Sequence, residues 1–186
     1  MSEKDKTSTI ELFDALTEEL RVKFMRAKEL LFEYNHSHPH KIEEREAIIR
    51  ELLGSTGKTF FINQPFYCDF GYNIHIGENF QANVGVTILD GGEVRIGDNV
   101  LIGPNVDIYT VGHPENIEDR IAGKEYSLPI TIGNNVWIGG CVVITPGVTI
   151  GENSIIGAGS VVTHDIPSNV VAVGNPCHVL RACKIK

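Results

Sequence analysis

A six-residue repeat is the feature that most constrains how this chain can fold. Isoleucine or valine recurs every sixth residue, in one phase, at Ile96, Ile102, Ile108, Ile132, Ile138, Ile144, Ile150, Ile156 and Val162. A glycine follows many of these positions, and a second apolar column lies two residues earlier, at Val94, Val100, Val106, Ile130, Val136, Val142 and Val148. Such short-period self-similarity is typical of architectures in which each unit stacks on its neighbours.

The repeat predicts a parallel β-helix. Each hexapeptide supplies one flat side and a turn, so three of them close a triangular rung, and rungs stack at about the 4.8 Å spacing of paired strands. Glycine and asparagine suit corners that need φ > 0 or no side chain. A β-sandwich is the alternative, but its strands vary in length and spacing. Residues 74–77 show the pattern displaced by two residues, which indicates a small insertion near 90–93.

One long interruption breaks the repeat. The positions that should continue the inward column are Pro114, Arg120 and Tyr126. Residues 112–129 are therefore predicted to leave the shaft as a loop and to return in phase. Long polar loops on rigid scaffolds often carry function, and His113 lies at the root of this one.

The first 57 residues predict a helical hairpin. They contain 21 charged residues but only 2 of the 19 glycines. Residues 8–33 carry one apolar helical face, made of Phe13, Leu16, Leu20, Phe24, Ala27 and Leu31. After a break near Pro39, a second helix is expected over 41–54, with Ile42, Ile49, Leu52 and Leu53 inward and Gly54 near its end. The organisation expected is this hairpin, a β-helix over 58–176 and a tail over 177–186.

Composition and residue spacing argue against a nucleic-acid partner, a membrane span, disulfide bonds and a metal site. Sixteen basic and 24 acidic residues leave a net charge of −8, which argues against a nucleic-acid partner. No apolar run is long enough to cross a membrane, and the start MSEKDKTSTIE is not a signal peptide, so a cytoplasmic location is expected. The four cysteines lack paired spacing and are expected to be reduced. His36, His38 and His40 flank Pro39 and predict a turn, with no metal.

Six segments carry motifs beyond the general repeat: 35–39 (NHSHP), 68–77 (CDFGYNIHIG), 82–83 (AN), 109–114 (YTVGHP), 130–139 (ITIGNNVWIG) and 173–176 (VGNP). Together they resemble the maltose and galactoside O-acetyltransferase family of hexapeptide-repeat acyltransferases, over nearly the whole chain. The resemblance implies a mainly β fold, a left-handed parallel β-helix with an N-terminal α-helical hairpin. The spacing alone does not show that handedness, and the usual crossover rule favours the opposite hand.

The resemblance implies that His113 is the catalytic base of a sugar O-acetyltransferase. A sugar hydroxyl is a poor nucleophile at neutral pH, and a neutral imidazole can take its proton as the oxygen attacks the acetyl thioester. Transfer from acetyl-CoA would be direct, without a covalent acetyl-enzyme, so Cys141 is not expected to be a nucleophile. From the residues alone, a lone histidine on a loop is more often a surface residue.

The acceptor pocket implied by the resemblance contains Asp69 and Asn83. Asp69 could instead cap a turn, and Asn83 could be a corner residue in the left-handed region. Asp14 lies beside the place of a family carboxylate, which is Ala15 here, and a second family carboxylate falls on Gly91. These departures leave the acceptor sugar open.

The cofactor site implied by the resemblance lies along the later rungs. Its expected contacts to acetyl-CoA are Trp137, Gly140, Ala158, Thr163, His164, His178 and Arg181. His178 and Arg181 would meet the phosphates, for which a guanidinium fork is suited. Trp137 could equally pack at a subunit boundary.

The resemblance also implies a homotrimer with active sites between adjacent subunits. Two other functions remain as alternatives. A non-catalytic structural or binding β-helix would need a regular outward-facing array, which the sequence lacks. A γ-carbonic-anhydrase-like metalloenzyme would need three histidine ligands, but His75, His113 and His164 do not have that family's spacing.

Overall fold

The computed structural model describes residues 11–14 and 17–184. Its helices are α1 (Glu18–His36), α2 (Ile42–Leu52) and α3 (Ile117–Ile121). The strands up to the interruption are β1 (Phe13–Asp14), β2 (Phe60–Ile62), β3 (Phe66–Cys68), β4 (Ile74–Ile76), β5 (Phe80–Ala82), β6 (Val86–Leu89), β7 (Val94–Ile96), β8 (Leu101–Ile102) and β9 (Asp107–Tyr109). The later strands are β10 (Val111–Gly112), β11 (Lys124–Ser127), β12 (Ile130–Ile132), β13 (Trp137–Ile138), β14 (Val143–Ile144), β15 (Thr149–Ile150), β16 (Ile155–Ile156), β17 (Val161–Val162), β18 (Val170–Val173) and β19 (His178–Ala182).

Three sheets of parallel strands form the sides of a triangular shaft, as the repeat predicts. Their orders are β15-β12-β7-β4, β18-β16-β13-β8-β5-β2 and β17-β14-β9-β6-β3, with β19 added antiparallel to β18. Equivalent repeat positions stack in register, as Ile102, Ile138 and Ile156 do. Both predicted apolar columns lie inside the shaft, where their side chains are almost fully buried. The core is therefore one continuous stack, mostly of isoleucine and valine, and the buried side chains of the helical hairpin join it at the first rungs.

The displaced early repeat has a structural cause. Paired strands in the first rungs are offset by 20 residues, as Ile74 and Val94 are, whereas later rungs are offset by 18, as Thr131 and Thr149 are. The extra residues lie at 69–73 and 90–93, between the five-stranded and four-stranded sheets. We call this edge of the shaft the loop corner, because the interruption at 112–129 leaves the shaft from the same edge. The predicted insertion is confirmed.

Asparagine and glycine occupy the other corners for different reasons. Six asparagines have positive φ, and five of them form a ladder of amide hydrogen bonds 2.9–3.0 Å long, through Asn79, Asn99, Asn135, Asn153 and Asn169. The glycines that follow the inward isoleucines do not have positive φ. At Gly103 a Cβ would lie 2.5 Å from the Gly140 nitrogen of the next rung, so close stacking excludes a side chain there.

The helical hairpin docks on the first rungs. Asn35 donates from Nδ2 to the Phe66 carbonyl and accepts from the Phe66 N–H, at 2.9 and 3.0 Å. Ile49 is buried as predicted, but Ile42 is exposed, because it is the first residue of α2, beside the turn that joins the two helices.

The predicted start of the first helix is wrong. Thr17 is its N-cap, and Phe13–Asp14 forms a strand that pairs with β11. Tertiary pairing with the interrupting segment overrides the helical periodicity here; residues 8–10 and Leu16 lie outside the described residues. In the described part, no helix has both the length and the apolarity to span a membrane.

Candidate active site

The interruption of the shaft is a structured excursion and not an open loop. Strands β10 and β11 form an antiparallel hairpin, and α3 lies at its far end. The Leu128 N–H donates to the Thr110 carbonyl at 2.8 Å, which closes the base of the excursion. Strand β1 adds to the other side of β11, with Phe13 opposite Glu125. This three-stranded sheet, β1-β11-β10, stands on the loop corner.

His113 follows β10 directly and faces β11. Its Nδ1 is 3.3 Å from the Lys124 carbonyl oxygen, and its Nε2 is 4.0 Å from Oε1 of Glu125. A carbonyl oxygen can only accept, so this hydrogen bond requires the hydrogen on Nδ1 and leaves the lone pair on Nε2. Gly112 lies under the Tyr126 ring, where a Cβ would be 2.5 Å from a ring carbon, so a side chain at this position would have to displace that ring.

A cavity of about 380 Å³ lies between α1, the loop corner and the three-stranded sheet. Its walls are mainly aromatic and aliphatic, with charged groups from three elements. The lining residues are Phe13, Leu20, Arg21, Phe24, Asp69, Phe70, Tyr72, Gly91, Val111 and Glu125. Such a mixture of apolar walls and a few polar groups is typical of a small-molecule site. Glu125 connects the cavity to His113.

Asp69 contributes a carboxylate to this cavity. It lies 3.7 Å from the Lys28 ammonium of α1, and partial burial raises the pKa of the Asp69 carboxyl while Lys28 opposes the shift. The Asp69 carboxylate does not cap this turn. The N–H groups of the turn donate to a different carboxylate, that of Asp90.

Asp90 is a site residue that the motifs did not identify. It is fully buried under the loop corner, and its Oδ1 accepts from the N–H groups of Asp69 and Phe70 at 3.0 and 2.9 Å. Its Oδ2 is 3.4 Å from the Asn73 nitrogen. The one sequence signal was the irregular insertion at 90–93. Asp90 therefore holds the backbone that presents Asp69.

Gly91, where the resemblance implied a carboxylate, lies against the side chain of Val111. A Cβ at this position would lie 2.3 Å from Cγ1 of Val111. Asp14 lies on β1 opposite Lys124 and does not line the cavity, whereas its neighbour Phe13 does. Glu125 is the second cavity carboxylate, and the motifs missed it because it lies inside the interruption.

Asn83 and the first positions expected to contact the cofactor lie at a different corner, between the seven-stranded and five-stranded sheets. Asn83 and Trp137 line a second cavity of about 250 Å³. Asn83 has an ordinary negative φ and accepts from the Val84 N–H at 2.8 Å, so it is not a left-handed corner residue. Gly140 stacks between rungs here, because its carbonyl accepts from the Gly159 N–H, next to Ala158. Trp137 is 53% exposed in the single chain.

The remaining positions expected to contact the cofactor are distributed over the last rung. Thr163 and His164 follow β17 on the loop-corner side, where the Thr163 hydroxyl is 2.7 Å from His164 Nδ1. His178 and Arg181 lie on β19 at the edge of the seven-stranded sheet, and both are exposed. Arg181 donates to the Ala182 carbonyl at 3.1 Å.

One chain does not bring the expected site residues together. His113, Asp69 and Glu125 lie at the loop corner, and Asn83, Trp137 and Gly140 lie at the next corner, across the five-stranded sheet. The histidines of the metalloenzyme alternative are also apart, since His75 contacts Ser55 and Glu93 on the four-stranded sheet. Over residues 11–14 and 17–184, no three His, Cys, Asp or Glu side chains are placed to hold a metal ion.

Comparisons with known proteins define the class. The maltose acetyltransferase hexapeptide capping motif matches residues 11–57, and the bacterial transferase hexapeptide (six repeats) matches residues 129–164. The hexapeptide repeat of succinyl-transferase matches residues 93–112. Fold, capping motif and repeats together make this chain a hexapeptide-repeat transferase.

Individual relatives narrow the class further. The galactoside O-acetyltransferase of Escherichia coli (strain K12) is 56% identical over 170 residues, which cover 91% of this chain and 84% of that protein. A solved galactoside acetyltransferase in complex with coenzyme A has a TM-score of 0.91 at 53% identity, covering 98% of this chain and 91% of that one. A maltose O-acetyltransferase from Clostridium difficile 630 has a TM-score of 0.93 at 49% identity, covering 100% and 99%.

The chain belongs to the maltose and galactoside O-acetyltransferase family. It is therefore an acetyltransferase, and its β-helix is left-handed, as the resemblance predicted.

Proposed function

We propose that this protein transfers an acetyl group from acetyl-CoA to a hydroxyl of a sugar acceptor, and that His113 is the general base. The observation that carries the proposal is the geometry of His113: the Lys124 carbonyl keeps the hydrogen on Nδ1, so the Nε2 lone pair faces Glu125 at the cavity. A base placed in this way can take the hydroxyl proton as the oxygen attacks the thioester carbon, and CoA leaves as its thiol. Transfer is direct, in a ternary complex.

The acceptor occupies the cavity lined by Asp69 and Glu125, and Asn83 orients the reacting hydroxyl. A galactoside or a maltose-like sugar is the acceptor class, by likeness to the relatives named above. Aromatic walls suit the apolar faces of a sugar ring, and the carboxylates suit its hydroxyls. Asp14 stays a weaker candidate, because it flanks the cavity from β1 without lining it.

Acetyl-CoA lies along the corner that holds Gly140 and Ala158, beside Trp137. Small residues stacked rung on rung let a long, thin ligand approach the backbone. Thr163 and His164, which lie at the loop corner, contact it from the neighbouring subunit. The exposed basic side chains of His178 and Arg181 bind its phosphates locally, against the net charge of −8. No metal is required, and the protein acts in the cytoplasm.

The protein is a homotrimer with each active site between two subunits. Support comes from the separation of His113 and Asn83, which lie at different corners of one shaft. A threefold arrangement places the loop corner of one subunit against the Asn83 corner of the next. It also covers Phe61, Leu101 and Trp137, which expose apolar surface on one sheet of the single chain.

Release of free CoA thiol on mixing the protein with acetyl-CoA and a panel of pyranosides and disaccharides tests the activity. His113→Ala is expected to lower turnover about 10²- to 10⁴-fold while the protein stays folded and binds CoA. The matched control is His40→Ala, in the exposed turn before α2, which should leave turnover unchanged. Normal turnover of His113→Ala would refute the base assignment.

A mixing experiment tests the shared site. His113→Ala and Asn83→Ala chains are each expected to be nearly inactive, but refolding them together should restore about a quarter of the sites, since some interfaces pair an intact His113 with an intact Asn83. No recovery in verified mixed trimers would show that both residues act from one chain.

A further inference from the structure

Glu125 is a cavity carboxylate to which no motif assigns a role. We propose that Glu125 binds a second hydroxyl of the acceptor, one or two carbons from the hydroxyl that His113 deprotonates. Glu125 would thereby select acceptors that present two neighbouring hydroxyls. This inference deepens the proposed function and rests on it.

The Glu125 carboxylate has acceptor capacity that the protein does not fill. Its side chain is 27% exposed, and its Oε1 lies 4.0 Å from Nε2 of His113. Throughout the described residues, no other hydrogen bond or ion pair involves this carboxylate. Partly buried carboxylate oxygens without donors are unfavourable, so a ligand that brings an O–H group there gains a charge-assisted hydrogen bond.

The spacing of the two groups determines what that ligand carries. With its hydrogen on Nδ1, His113 presents a lone pair at Nε2, so Nε2 and the Glu125 carboxylate are two acceptors side by side. At 4.0 Å they are too far apart to bond each other. One hydroxyl has one hydrogen and can serve only one of them. Two neighbouring sugar hydroxyls, whose oxygens lie about a hydrogen-bond length apart, can serve both at once.

The other cavity carboxylate has a cationic partner. Asp69 lies 3.7 Å from the ammonium of Lys28, which stabilises its charge. A side chain at Gly91 would have to displace Val111, whose Cγ1 would lie 2.3 Å from the added Cβ. Gly91 supplies no side-chain acceptor, so among the described residues Glu125 is the carboxylate of this cavity that forms no ion pair with a lysine or arginine.

The backbone of Glu125 is well positioned for this role. Strand β11 is the middle strand of its sheet, paired with β10 on one side and with β1 on the other. Phe13 lies directly opposite Glu125 in that pairing, and both line the cavity. Central strands hold their side chains at fixed positions, so the distance between Glu125 and His113 is set by the fold.

The test uses deoxy acceptors. The acetylated position is first located by NMR on the best acceptor, and kcat/KM is then measured for its monodeoxy analogues. The kcat/KM of the wild type is expected to be about 10- to 100-fold lower for the analogue that lacks the neighbouring hydroxyl than for the parent sugar. A factor of this size is the effect of losing a hydrogen bond to a charged group. Glu125→Ala should lose a similar factor on the parent sugar and no longer distinguish parent from analogue.

Two controls accompany these variants. Glu125→Gln, which keeps the shape and one acceptor oxygen, should lose less than Glu125→Ala. Glu118→Gln on exposed α3 should behave as the wild type, and the KM for acetyl-CoA should not change in any variant.

Two results would overturn the inference alone: unchanged kcat/KM in Glu125→Ala, or an equal loss on the parent sugar and on every deoxy analogue, which would mean that Glu125 acts through His113. A wild type that transfers acetyl to no acceptor would instead overturn the proposed function, and this inference with it.

Discussion

Replacing Asp90 tests whether one buried carboxylate holds the loop corner. Asp90→Ala removes the acceptor of two short hydrogen bonds, from the Asp69 and Phe70 N–H groups, and of a longer one from Asn73. Each buried N–H left unpaired costs about 1–3 kcal/mol. The two short bonds therefore represent about 2–6 kcal/mol, and relief from burying a charge offsets part of it. We expect the free energy of unfolding to fall by about 2–4 kcal/mol.

Urea unfolding followed by circular dichroism measures this loss. Because association into the proposed trimer would make the unfolding midpoint depend on concentration, wild type and variant are compared at one protein concentration. The midpoint should fall with little change in the slope of the transition. Asp90→Asn keeps one acceptor oxygen and should lose less stability than Asp90→Ala. The kcat/KM for the acceptor should fall in both variants, because the backbone that presents Asp69 is no longer held by a carboxylate. A loss below about 0.5 kcal/mol in Asp90→Ala would refute the reasoning.

The pH dependence of Asp90→Asn provides a second test. Burial raises the pKa of the Asp90 carboxyl above its ordinary value, against the backbone hydrogen bonds that lower it. The folded wild type then keeps this proton to a higher pH than the unfolded chain, so it loses stability as pH rises from about 3.9 to the folded pKa. Asparagine does not titrate. The difference in free energy of unfolding between wild type and Asp90→Asn should therefore become less favourable to wild type as pH rises through that window. A difference that increases with pH would contradict a raised pKa for the Asp90 carboxyl.

Two further predictions concern the corners of the shaft. Gly103→Ala places a Cβ 2.5 Å from the Gly140 nitrogen and should lower the free energy of unfolding by about 2–4 kcal/mol. Gly159 has φ of +72° and open space around it, so Gly159→Ala should lower that free energy by only about 1–2 kcal/mol. Equal losses for the two variants in urea unfolding would contradict the close-stacking argument. Cys141 has φ of 57°, a conformation that asparagine tolerates better than cysteine does. Cys141→Asn should therefore raise the free energy of unfolding by about 0.5 kcal/mol or more and leave turnover unchanged. Loss of activity in this variant would indicate a catalytic role for the thiol.

The repeat was sufficient to predict the shaft because its geometry is local and periodic. Ile102, Ile138 and Ile156 lie in one column because equal spacing in sequence becomes equal position on successive rungs. The same logic located the insertion near 90–93 and the departure of the chain at 112–129. The helical hairpin was predicted less well, since the pattern at Phe13 is compatible with a helix until β11 pairs with it.

The family motifs identified His113, Asp69 and Asn83 as a group, but they could not show how these residues relate in space. Glu125 and Asp90 carried no motif, because their importance comes from the partners that folding brings to them: His113 across a hairpin, and the turn at Asp69 one rung below.

The sequence by itself therefore determined the shaft, its corners and the histidine at the root of the excursion, because each depends on residues at fixed short spacing. Only the tertiary structure decided which carboxylates face the cavity, which one is buried beneath it, and that His113 and Asn83 lie at different corners. These properties depend on contacts between residues far apart in the chain, which no local pattern encodes.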